Sequence, residues 1–79
     1  MVIELIDAVE LEISANGEMI FITTRNGDQL AIHQPFHLAA PTIEEKNNMP
    51  LGREFCMKIF FTSENGQQRC IHLAKFPQN

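Results

Sequence analysis

The sequence predicts a small, mainly β fold: an antiparallel barrel of five strands in the order β-β-β-(short helix)-β-β, OB-like or SH3-like in type. Three observations carry that reading. Apolar, β-prone runs are separated by Asn-Gly pairs at 16–17, 26–27 and 65–66, and Asn-Gly between alternating apolar runs is the strongest short-range hairpin signal. Residues 9–14 alternate strictly, with Val9, Leu11 and Ile13 against Glu10, Glu12 and Ser14, the period of a strand with one buried face. The chain has 79 residues, a single domain spanning 1–79 that has too little surface to leave long strand edges unprotected.

Residues 2–14 read as one long first strand. Val2, Ile3, Leu5 and Ile6 fit a helical turn about as well, but so short a helix would be marginal, so a strand bent at Asp7-Ala8 is expected. Asn16-Gly17 reverses the chain as a two-residue type I′ turn, in which both central residues take φ > 0. That register sets Ile13 opposite Ile20, Leu11 opposite Ile22 and Val9 opposite Thr24, pairs that stabilise a shared face. Met19, Phe21, Thr23 and Arg25 occupy the other face. A strand apolar on both sides belongs in a closed barrel or at a sheet centre.

The third strand runs from Gln29 to about Gln34 and ends at Pro35, which has no N–H to donate. The connection from His37 to Glu54 is too long for a hairpin loop. Within it, Thr42-Ile43-Glu44-Glu45 has the form of a capping box, with Asn47-Asn48 closing one to two helical turns. Phe55–Ser63 and Arg69–Phe76 complete the fold as a hairpin about Asn65-Gly66, with Phe61 opposite Ile71 and Ile59 opposite Leu73 for a three-residue loop. A two-residue loop would shift that pairing by one.

Composition narrows the function. Apolar residues make up 44%, with six Phe, four Met and neither Trp nor Tyr, so a binding face must rely on Phe, Met or charge. The net charge is −4. It is uneven: residues 1–24 hold Glu4, Asp7, Glu10, Glu12 and Glu18 without a base, whereas the remainder holds six bases against five acids. An acidic first third opposes a broad phosphate-binding surface. No basic leader or membrane-length apolar run is present, which points to a cytoplasmic protein with Cys56 and Cys70 as free thiols.

Chemistry-bearing groups are sparse. His33, His37, Cys56, Cys70 and His72 are the metal-ligating types, but no Cys-x₂₋₄-Cys knuckle is present, and the cysteines read as small core hydrophobes. Cys70 and His72 share a strand face, yet a buried thiol beside a surface imidazole explains them without nucleophilic catalysis. The four glycines are turn and loop residues rather than a phosphate cradle, and a chain this short has little room for a concave pocket. No catalytic, metal or cofactor site is therefore expected.

Two surfaces stay in play. Glu4, Glu10, Glu12 and Glu18 form a candidate acidic strip that would engage another protein or a second copy of the chain. Phe60, flanked by Lys58, Arg69 and His72, forms a candidate alternative face on which a nucleic-acid base would stack. If the fourth strand lay beside the first, Arg53, Lys58, Arg69 and Lys75 would oppose its acids. The preferred reading is a protein-binding module: adaptor, accessory subunit, inhibitor or immunity-type protein. Single-stranded nucleic-acid binding is the alternative.

Overall fold

A computed structural model describes residues 3–50 and 52–75. The chain forms β1 (Ile3–Ile13), β2 (Met19–Thr24), β3 (Gln29–His33), β4 (Phe36–Ala39), α1 (Ile43–Asn47), β5 (Glu54–Thr62) and β6 (Gln68–Lys75). Six strands make one sheet in the order β3-β2-β1-β6-β5-β4. The mainly β expectation holds. The five-stranded, all-antiparallel closed barrel does not, because the sheet has a sixth strand, one parallel pair and two open ends.

The long first strand organises the sheet. Its early half, Ile3 to Asp7, pairs in parallel with Cys70 to Ala74 of β6. Its later half pairs antiparallel with β2, with Leu11 opposite Ile22 and Ile13 opposite Ile20 as the sequence indicates. A register shift between Ala8 and Glu10 marks the change of partner. Ala8, rather than Val9, meets Thr24, because a bulge sets two residues against one and bends the strand. Val2 and Phe76, assigned to strands from the sequence, lie outside the described residues.

β4 is the strand the sequence reading missed. Pro35 ends β3 as expected, but strand pairing resumes at once, with Phe36 opposite Phe61 and Leu38 opposite Ile59. Just before the cis Gln34-Pro35 bond, Gln34 is held to the first loop. Its N–H donates to the Glu18 carbonyl at 2.9 Å and its side-chain amide to the Gly17 carbonyl at 2.9 Å. Only Gln34 and Pro35 separate the two edge strands, β3 and β4. A sheet whose opposite edges are two residues apart must curl, yet β3 and β4 form no ladder with each other. The curl stays open.

Curling brings one face of the sheet against itself. Ile20, Ile22 and Ile32 from one half meet Ile59, Ile71 and Leu73 from the other, with Ala8 at the bend. All six large side chains are at most 1% exposed. Leu30, Phe36, Met57 and Phe61 pack at the margin of that core.

Three connections repeat one local design. Each begins with Ser or Thr and continues x-Asn-Gly-x: Ser14–Glu18, Thr24–Asp28 and Ser63–Gln67. The amides of Gly17, Gly27 and Gly66 donate back to the carbonyls of Ser14, Thr24 and Ser63 at 2.9–3.0 Å. Among the described residues only glycines have positive φ, so the Asn residues are not at φ > 0 and the turns are not type I′. Asparagine contributes its side chain instead: Asn16 Oδ1 accepts from the Glu18 amide at 3.1 Å and Asn65 Oδ1 from the Gln67 amide at 3.2 Å. The last loop sets Ile59 opposite Ile71 and Phe61 opposite Arg69. This register is two residues from the expected one, which preserves every face.

Two substitutions test this architecture. Gly27→Ala meets nothing within 4 Å, but φ at that position is +89°; a purely backbone cost of about 1 kcal/mol is expected, lowering the thermal midpoint by roughly 4–8 °C. Ile59→Ala, at a site that is 0% exposed, is expected to cost about 2–5 kcal/mol. Calorimetry or denaturant titration measures both.

Candidate functional site

The four acids proposed as one strip are divided by the strand that carries most of them. Alternation places Glu4 on the core-facing side of β1, and Glu10 and Glu12, after the bulge, on the opposite side opposite Thr23 and Phe21. Glu4 makes a two-point contact with Arg69, from Nε to Oε2 at 2.8 Å and from Nη2 to Oε1 at 2.7 Å. The Arg69 guanidinium also lies 5.1 Å from the Phe61 ring centroid. Its hydrogen bonds hold the Glu4 carboxyl below the usual range, against the opposing effect of burial. Glu18 sits beside the Gln34 anchor at the end of the first loop. Only Glu10 and Glu12 stay together as an exposed acidic pair.

The bases expected to face the acids of β1 do so only in part. Arg53 grips Asp7 through Nε to Oδ1 at 2.6 Å and Nη2 to Oδ2 at 2.9 Å, and Arg69 takes Glu4. Neither reaches Glu10 or Glu12, for which no ion pair occurs among the described residues. Lys58 belongs to the helix instead. In the capping box, the Thr42 hydroxyl accepts from the Glu45 amide at 3.1 Å and the Thr42 amide donates to Glu45 Oε1 at 2.9 Å. The same Oε1 accepts from Lys58 Nζ at 3.0 Å, and His72 Nε2 stands 3.7 Å from Oε2. Glu45 thus caps α1 and ties it to the sheet. The Thr42 amide first, then Lys58, draw its carboxyl down to about 2.

The alternative face assembles as the sequence suggests, except for Arg69. Lys58, Phe60, Cys70 and His72 share one side of the β5–β6 ladder, while Ile59, Phe61, Arg69 and Ile71 share the core side. Lys58 Nζ lies 6.0 Å from the Phe60 ring centroid, and the His37 ring is 6.2 Å from it, centroid to centroid. Lys58 nevertheless directs its charge at Glu45. Cys70 is buried, and that burial pushes its thiol up. Cys56 is half-buried and lies between the two ends of a register shift in β5. Among the described residues, no three His, Cys, Asp or Glu side chains converge on a point where a metal would sit.

Concave space is larger than chain length suggests. An open cleft of about 950 Å³ lies between β3 and the tip of the β5–β6 hairpin, with Glu4 and Arg69 in its wall. A second hollow of about 340 Å³ lies among Pro35, Phe36, His37, Phe60 and Phe61. The first follows from the incomplete closure of the sheet, since its walls come from β3 on one side and the β5–β6 hairpin on the other.

The main surprise is apolar. Val9, Leu11 and Ile13 were expected to be the buried face of the first strand, yet they are 62%, 36% and 50% exposed. Their partners Ile20 and Ile22 are covered almost completely. The β1–β6 pairing ends at Asp7 opposite Ala74, so the half of the sheet that covers β2 does not extend over the last residues of β1. From Glu10 to Ile13 the strand pairs with β2 on one side, and among the described residues no strand pairs with its other edge. Strict alternation correctly identified the strand but could not show that its apolar side would be left open.

No protein-family model matches the chain, and neither a curated protein nor a solved structure matches it significantly.

The Glu45 network gives a pH test with a defined sign. A carboxyl whose folded value lies near 2 stabilises the fold fully above its ordinary 4.5, and that contribution is lost as the pH falls through about 2. Glu45→Gln is expected to flatten, without abolishing, the acid limb of a stability–pH profile, since Glu4 and Asp7 are shifted in the same direction. Denaturant midpoints from about pH 6 down to about pH 2 would show it.

Proposed function

We propose that this chain is a small protein-binding module of the adaptor, accessory-subunit, inhibitor or immunity type. The observation that carries this reading is the exposed Val9, Leu11 and Ile13 beside a strand edge that no strand pairs with among the described residues. Apolar rows of this kind on a small protein mark contact surfaces, and an unpaired edge offers main-chain donors and acceptors to a second chain. Free Cys56 and Cys70 suit a cytoplasmic setting; no helix among the described residues is long and apolar enough to cross a membrane.

Single-stranded nucleic-acid binding has less support. Phe60 lies beside Lys58 and His37, but Lys58 is committed to Glu45 and Arg69 to Glu4, and phosphate binding needs bases whose charge is available.

Affinity capture of the tagged protein from its native lysate, with and without nuclease, tests the reading. A stoichiometric protein partner that persists after nuclease is expected. Nucleic acid in the eluate, with the accompanying proteins lost after digestion, would overturn the proposal in favour of the Phe60 face. An empty eluate would also count against it.

A further inference from the structure

We propose that the later edge of β1, which no strand pairs with among the described residues, takes an extended segment of another protein in which basic and apolar residues alternate, added to the sheet as a strand. The inference rests on the binding-module reading and specifies where and what that module binds. Val9–Ile13 alternates apolar and acidic residues in sequence, with Leu11 and Ile13 on the core-facing side, Glu10 and Glu12 on the other, and Val9 exposed at the bulge. A strand laid against this edge sets its own alternate residues beside each set. Apolar residues are needed on the first side. On the second, two carboxylates that meet no base among the described residues call for Lys or Arg.

The same charges argue against a second copy as the occupant. Antiparallel pairing of this edge with itself about a two-fold axis at Leu11 would bring Val9 to Ile13 and Glu10 to Glu12 of the other copy. The apolar contacts would be good, but two pairs of like charges would lie directly opposite, which is destabilising. Charged residues are a recognised protection of open edges against self-pairing. Here, their regular spacing also sets the charge pattern of the strand that fits.

The chain itself supplies the probe. In the double variant E10K/E12K the edge alternates apolar residues with lysines, the pattern assigned to the partner. Glu10 and Glu12 are exposed and form no ion pair among the described residues, so the variant is expected to fold with an unchanged circular-dichroism spectrum and melting point. In sedimentation at low salt, wild type alone and E10K/E12K alone should each run at 9.0 kDa. Their equimolar mixture should run at twice that mass. The complex should dissociate at about 1 M salt, where screening acts within about 3 Å, and should not form when the wild-type component carries Leu11→Lys.

A mixture that stays monomeric would overturn the proposal, as would a complex indifferent to Leu11→Lys. Wild type running alone at the doubled mass would overturn it in favour of a second copy. The broader reading has a separate readout: a lysate partner captured equally by wild type and by Leu11→Lys would leave the binding module standing and remove this edge from it.

Discussion

The fold depends on one strand serving two sheets' worth of partners. β1 gives its first half to β6 in parallel and its second half to β2 in antiparallel pairing, and the shift between Ala8 and Glu10 lets it turn from one to the other. That bend accompanies the curl that brings Ile20, Ile22 and Ile32 against Ile59, Ile71 and Leu73. In so short a chain, folding one sheet over itself is how a two-layered core is made from six strands. The parallel pairing also sets β6 directly beside β1, Ile3 to Asp7 against Cys70 to Ala74.

Bending leaves consequences at both margins. At one, β3 and β4 meet through Gln34 and Pro35 without pairing, and the gap between the two halves is the large cleft walled by Glu4 and Arg69. At the other, β1 outruns the half of the sheet that should cover it, and Val9, Leu11 and Ile13 face solvent. A closed barrel of the same strands would have neither opening. The exposed apolar side chains of β1 and the cleft are thus both products of incomplete closure.

Charge does local work around this frame. Arg53 on Asp7 fastens the approach to β5 beside the bend of β1, and Arg69 on Glu4 fastens β6 to the start of β1. Glu45 caps its short helix and holds that helix to Lys58. Each of these three acids is held by a base or an amide, and two exposed acids on β1 are not. That contrast separates the carboxylates that tie elements together from those that face solvent.

Local signals in the sequence determined most of the elements. Alternation in residues 9–14 specified the first strand and its register against β2, Asn-Gly placed all three tight connections, and Thr42 with Glu45 specified the helix cap. These features act over a few residues, where backbone sterics and short hydrogen bonds dominate. The β4 strand escaped notice because four residues after a proline carry too little periodic signal, although Phe36 and Leu38 do alternate with His37 and Ala39. Only the tertiary structure decided that β1 and β6 run in parallel, that the sheet stays open, and that Arg69 turns away from Lys58 toward Glu4. It also decided that the apolar side of the first strand is uncovered. Those outcomes depend on which distant segments meet, and alternation gives a strand two faces without saying what, if anything, lies against either.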